Sequence, residues 1–151
     1  MTLMAGLALV AVTVVSGSAS TALKCSLVSR AVISSALDQR LVSSRSAAVR
    51  IGGTSCAYFG ANGGRPLVLV NYQVGVTPAT FANSFASSGN PGSSGNHRVS
   101  GIANGAYYFR GPPFGIALTV LDGKTVFEIQ ANASLARIEA LAKKIAPRAR
   151  S

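Results

Sequence analysis

From Leu67 to Val76 every second residue is apolar. Val68, Val70, Tyr72, Val74 and Val76 share one side, while Leu67, Leu69, Asn71 and Gln73 share the other and grow more polar along the run. A period of two with one apolar side predicts a strand of an antiparallel sheet that is covered on one face. The other segments take their meaning around it. Val28, Val32, Ile33, Ala36 and Leu37 recur at helical spacing and predict a first helix over Cys25 to Leu41, capped by Ser26 or Ser29. Gln39 to Arg45 is polar and reads as loop. Ala47 to Ile51 and Ser55 to Phe59 read as short strands split by Gly52-Gly53, with Cys56 and Tyr58 on one face of the second. Thr77 caps a second helix that starts at Pro78 and is anchored by Phe81 and Phe85.

Ser87 to Asn96 (SSGNPGSSGN) has too few apolar groups to offset its ordering entropy and reads as a mobile loop. Val99 to Phe109 leads into a strand that Gly111-Pro112-Pro113 breaks. Phe114 to Leu121 and Lys124 to Gln130 form a hairpin, for which Asp122-Gly123 signals a type I′ turn. In that register Ile116, Leu118 and Val120 face the same side as Phe127 and Ile129. Ser134 to Ile145 closes the chain as a helix with Leu135, Ile138, Leu141 and Ile145 as its buried stripe. Glu139 is placed to pair with Lys143, and Pro147 stops the helix. The expected fold is α+β: a single antiparallel sheet of five or six strands in the order α-β-β-β-α-β-β-β-α, helices mainly on one face, and one disulfide.

The first 22 residues hold no charged side chain, and Leu3 to Val15 is almost wholly apolar. Ser16-Gly17-Ser18-Ala19-Ser20 follows. This is the apolar region and small-residue cleavage region of an export signal without its positive n-region, cut after Ser20 or Ala22; the alternative is an uncleaved anchor. The chain thus divides into an export segment (1–22), a single α+β domain (23–147) and a basic tail (148–151). An exported domain with two cysteines, Cys25 and Cys56, reads as a domain with one disulfide; two free buried thiols are the other reading. A bridge would close a loop of about 30 residues, worth roughly 3–4 kcal/mol in the chain-entropy model.

Charge narrows the partners. Lys and Arg number 14 against 4 acids, a net charge of +10. The cations are scattered except at the C-terminus, where Lys143, Lys144, Arg148 and Arg150 are close together. Such a field outside a cell favours anionic polymers or lipid surfaces. No nucleic-acid recognition motif is present, and a nucleic-acid partner is not expected.

Catalytic chemistry is sparsely supplied. His97 is the lone histidine and borders the Gly/Ser loop, whereas a Ser–His–Asp arrangement needs a rigidly held imidazole. Asp122 is accounted for by its turn, and Glu128 falls on the solvent side of its strand. No metal set or cofactor motif is seen. Gly111 to Gly115 opens no helix and so is no phosphate loop. Asn132-Ala133-Ser134 fits the glycosylation triplet but doubles as a helix start. Tyr58, Phe59, Tyr72, Tyr107, Tyr108, Phe109 and Phe114 fall on or near strands. They read either as core packing or as an aromatic groove on the uncovered sheet face, with Tyr108, Pro112, Pro113 and Phe114 as candidate ligand contacts.

Several short motifs occur in a familiar order. They are Cys25-Ser26-Leu27 opening a helix, Cys56-Ala57-Tyr58 on a strand, Val99 to Tyr108 (VSGIANGAYY), a hairpin, and Leu141-Ala142-Lys143-Lys144 ending a helix. Over residues 25–146 the chain resembles secreted actinobacterial lipoproteins of unknown function, often described as sensor-domain-like. That resemblance implies a Cys25–Cys56 bridge and a compact α+β domain in the cell envelope, with no catalytic residues to carry over. Two positions depart from it: Lys24 spoils the lipidation signal many members carry, and Asn104 stands where an acidic residue is common. The resulting expectation is a monomeric, non-enzymatic ligand-binding or sensor-like domain, secreted or on the outer face of the envelope, whose ligand or protein partner is unidentified. The alternatives are a structural binder of anionic envelope polymers and a small secreted hydrolase using a serine and His97.

Overall fold

The computed structural model describes residues 25–49, 53–87 and 95–150. The export segment, the Gly52 half of the first turn and most of the Gly/Ser loop lie outside these residues. Cys25–Leu27 forms a single 3-10 turn, and α1 spans Arg30–Leu37. Ser29 caps α1, its Oγ accepting the Val32 N–H at 3.3 Å. The helix stops four residues before the expected end. Asp38 takes a left-handed conformation (φ 55°), and the Gln39 N–H donates to the Ser34 carbonyl at 3.0 Å, so the helix end is sealed there.

Seven antiparallel strands make one sheet in the order β1-β2-β3-β7-β6-β5-β4. They are β1 (Ser43–Val49), β2 (Gly53–Phe59), β3 (Val68–Val74), β4 (His97–Val99), β5 (Gly105–Gly111), β6 (Gly115–Asp122) and β7 (Thr125–Ala131). The α+β class, the single antiparallel sheet and the disulfide are as expected; the strand count of five or six is not. The added strand is β4, which pairs His97 with Tyr108 and Val99 with Ala106. It arises because residues 100–104 fold back, with Gly101 (φ 76°) and Ala103 (φ 45°) both left-handed. The order is therefore three strands, α2 (Pro78–Ser87), four strands, then α3 (Leu135–Ala149).

β1 begins where a loop was expected. Ser43-Ser44-Arg45-Ser46 has no apolar alternation because this edge strand is exposed along nearly its whole length; its backbone pairing with β2 alone makes it a strand. The β6–β7 turn also differs in detail. Asp122 pairs with Thr125, so Gly123 and Lys124 are the loop residues, and of the two only Gly123 has positive φ (62°). That is the pattern of a type II′ turn rather than I′. The Asn104 side-chain oxygen accepts the Gly123 N–H at 2.6 Å, a role a carboxylate at that position would fill equally.

One sheet face carries the core. Cys56, Tyr58, Val68, Val70, Tyr72, Leu118, Val120, Phe127 and Ile129 are buried there beneath Ile33, Leu37, Ile138, Leu141 and Ile145 of α1 and α3. Ile116, Leu118 and Val120 pair with Ala131, Ile129 and Phe127; the shared side is as expected, while the move of the loop from Asp122-Gly123 to Gly123-Lys124 shifts the pairing itself by two residues. Leu135 is only half-buried, and the buried stripe of α3 continues instead through Ala142, Ala146 and Ala149. Pro147 does not stop α3; it lies inside the last turn. Pro147 has no N–H for the Lys143 carbonyl, and burial of Ala149 together with the Arg150 N–H bonded to the Ala146 carbonyl (3.2 Å) holds that turn nonetheless. Arg148 and Ala149 are thus helical and not part of a tail. Glu139 and Lys143 form no ion pair among the described residues; Arg137 pairs with Asp38 and Arg150 with Asp122.

Cys25 and Cys56 are bonded, with Cα atoms 5.6 Å apart. The bridge ties the 3-10 turn to β2, and the Tyr58 hydroxyl donates to the Cys25 carbonyl beside it (3.4 Å). A disulfide of this kind fits a compartment outside the reducing cytoplasm. Among the described residues no helix is long and apolar enough to cross a membrane.

Candidate functional site

The connection from β3 to β4 dictates where a site can form. β3 lies in the middle of the sheet and β4 at an edge, so the chain between them must cross β7, β6 and β5. It crosses on the face opposite α1 and α3, as α2. Thr77 caps this helix, its Oγ1 accepting the Thr80 N–H at 3.1 Å. Phe81 and Phe85, one turn apart, then both meet Tyr107 of β5, with ring centroids 5.3 and 5.4 Å away. The Arg98 guanidinium lies 4.4 Å over the Phe85 ring and completes the clamp. α2 is therefore fastened at the β5 side of the sheet.

Between α2 and the sheet a groove of about 370 Å³ remains. Val49, Val76, Phe81, Tyr107 and Val126 give it apolar walls, and Asn71, Gln73, Thr119 and Glu128 give it polar groups. Its floor follows from strand register. Tyr107 pairs with Thr119, Thr119 with Glu128, and Glu128 with Asn71, a direct row across β5, β6, β7 and β3. Directly opposed residues have Cβ atoms about 4.5–5.5 Å apart, so these four side chains are neighbours. Glu128 is half-buried at the centre of the row rather than out in solvent. Its carboxylate accepts from Asn71 Nδ2 (3.3 Å), Thr119 Oγ1 (3.3 Å) and Gln130 Nε2. Gly53 of β2, paired with the groove residues Val49 and Gln73, has no room for a side chain: a Cβ there would run into the Tyr72 carbonyl.

The sequence-derived ligand candidates are not gathered in this groove. Tyr108 points to the helix side, where the His97 ring stacks on it (5.1 Å) and the Arg110 guanidinium lies over it (5.6 Å). Tyr107, its neighbour of opposite parity, is the groove residue. Pro112, Pro113 and Phe114 form the β5–β6 turn and line a separate hollow of about 70 Å³ with Phe109, Ala117 and Gln130. The Pro112–Pro113 bond is cis. Phe109, Ala117 and Gln130 form the next row on the same sheet face as the groove, so the Gly111–Gly115 turn borders that face at its far end. Of the Ser87–Asn96 loop, residues 88–94 lie outside the described residues.

Asp122 is more than a turn residue. Its side chain is 1% exposed and is bridged by Arg150, whose Nη2 lies 2.9 Å and Nε 3.0 Å from Oδ1. Arg150 is accordingly committed to the fold. Lys143 and Lys144 are exposed on α3, as is Arg148, whose Nη1 reaches the Lys144 carbonyl at 3.5 Å. Ser134 of the glycosylation triplet is the N-cap of α3, and the Asn132 carbonyl accepts from Gln39 Nε2 (3.0 Å).

The Thr119–Glu128–Asn71 row escaped sequence reading because each polar residue reads singly as the solvent side of its strand; only the β3–β7 and β6–β7 registers bring them together. Comparison with protein-family models, with curated proteins and with solved structures found no match, so a functional reading rests on this chain's own residues.

Proposed function

We propose that this protein is a non-enzymatic binding domain, secreted or on the outer face of the cell envelope, that holds a small ligand in the groove between α2 and the sheet. The observation that carries this reading is the groove itself: about 370 Å³, with apolar walls and a few convergent polar groups on its floor. Ligand sites are usually concave, mostly apolar and furnished with a few placed polar groups, at volumes of about 300–1,000 Å³. The disulfide and the apolar leader support an exported location.

The test uses a neutral apolar dye, Nile red, whose emission rises in an apolar pocket. Wild-type protein is expected to bind it saturably. Ser84 is exposed on α2 and lines the groove, so Ser84→Trp is expected to fill the space and abolish binding while leaving the fold, read by circular dichroism, intact. Dye binding that is absent, or unchanged in Ser84→Trp, would overturn the reading.

A further inference from the structure

Of the four acids in the chain, two are engaged by arginine: Asp38 by Arg137 at 3.1 Å and Asp122 by Arg150 at 2.9 Å. Glu139 lies on α3. Glu128 alone sits in the groove, and it is held differently. Its partners Asn71, Thr119 and Gln130 are all neutral donors. They fix the carboxylate in place without neutralising its charge, and no lysine or arginine among the described residues forms an ion pair with it. In a chain with 14 cations that is an unusual setting for a carboxylate.

The rest of the groove agrees with this sign of charge. Among the described residues no lysine or arginine lines it. A half-buried site feels charge more strongly than open water does, so an anionic head group on this floor would be repelled by Glu128, with no cation among the described lining residues to offset the repulsion. An organic cation meets the opposite situation. Tyr107 adjoins Thr119 and Glu128 in the same cross-strand row, and Phe81 packs on Tyr107 at 5.3 Å. Aromatic faces attract ammonium groups, and the pairing of aromatic rings with a carboxylate suits them further. Val76 and Val126 offer apolar surface for the remainder of such a molecule.

We infer that the groove selects ligands that carry an organic ammonium group on an apolar body, with Glu128 receiving the cation. This rests on the groove being a ligand site at all. It also runs against the net charge of +10, which favours anions everywhere else on the surface. A preference for cations can therefore arise only locally.

Isothermal titration of the oxidised protein with three probes of equal chain length decides the matter: decyltrimethylammonium, decyl sulfate and neutral decyl maltoside, each below its micelle-forming concentration. The cationic probe is expected to bind at least about tenfold more tightly than the neutral one, the factor a single well-placed charge contact readily supplies. Glu128→Gln is expected to erase that preference while retaining the neutral probe, and Ser84→Trp to abolish groove binding of all three. If wild-type protein ranks the neutral or anionic probe first in binding that Ser84→Trp removes, or if Glu128→Gln keeps the cation preference, the inference falls and the groove reading survives. If no probe binds, or Ser84→Trp alters nothing, both fall. The ranking on wild-type protein decides the question even if Glu128→Gln folds poorly.

Discussion

Tyr72 buries its hydroxyl on the helix side of the sheet without a hydrogen-bond partner among the described residues, and its ring lies 6.4 Å from that of Phe127. Leaving such a group unpaired costs about 1–3 kcal/mol, so Tyr72→Phe is expected to stabilise the protein by about 1 kcal/mol in urea melts. Burial pushes the phenols of both Tyr72 and Tyr58 upward, and the neighbouring Tyr58 charge adds to the effect at Tyr72. A phenol in the unfolded chain ionises near pH 10, below where these buried ones do, hence the contribution of the neutral phenols is intact below about pH 10 and lost as pH rises beyond it. Tyrosinate absorbance and circular dichroism followed together should show these two rings ionising only as the fold is lost, with Tyr72→Phe extending the alkaline range. Arg150 and Arg148 make a second contrast. Arg150 spends its guanidinium on a carboxylate that is 1% exposed, although its own side chain is 66% exposed. Arg150→Gln leaves Asp122 buried and unpaired, for an expected loss of about 1–3 kcal/mol. Arg148→Gln, on the exposed side of α3, should stay within about 0.5 kcal/mol. Equal effects in denaturant titrations would show that the Asp122 bridge contributes nothing.

At the scale of elements, the 3-10 turn is too short to hold itself in place, and the Cys25–Cys56 bond fastens it to β2. Reduction, or a Cys25→Ser and Cys56→Ser double variant, is expected to lower stability by about 3 kcal/mol in the chain-entropy picture. Thermal melts with and without reductant check this, and a melt indifferent to reductant would contradict it. The elements legible in the sequence were β3, β7 and α3 as far as Ile145, each with one buried side, and β6, whose apolar run is buried on both faces. Where burial gives no pattern, sequence reading faltered. β1 is polar and exposed, so its strand character resides in backbone pairing alone. β4 has three residues, too few for a period to appear. β5 carries aromatic residues of both parities in Tyr107, Tyr108 and Phe109, and only its pairing with β6 tells which of them faces the groove. Pro147 misleads for another reason: it removes one helical N–H, yet packing of Ala149 carries the helix past it.

At the scale of the molecule, a net charge of +10 is distributed over a surface whose exposed C-terminal cations outside the Asp122 bridge are Lys143, Lys144 and Arg148. Retention on a phosphate-bearing matrix is expected to fall steeply with salt, since exposed charges are screened beyond about 8 Å at physiological ionic strength. Replacing those three by glutamine should elute the protein at lower salt with an unchanged melting temperature. Unchanged elution would reduce the charge to a solubility feature. A different consequence follows from the strand order. β1, β2 and β3 follow one another in chain and in space, as do β4 to β7, and the sheet joins the two groups along β3–β7, from Val68 with Ala131 to Val74 with Thr125. The disulfide lies wholly within the first group, so only the connection through α2 links the halves covalently. A chain divided after α2 yields two fragments, each exposing one strand edge and one apolar face that the other matches. Co-expressed, they are expected to find each other and restore the folded molecule, measurable as recovery of a fluorescent reporter split between them, and insertion of a proline at Val70 or Ile129 should abolish that recovery. The protein is in this sense a ready-made pair of complementary parts, and the groove, with walls and floor drawn from both, exists only when they meet.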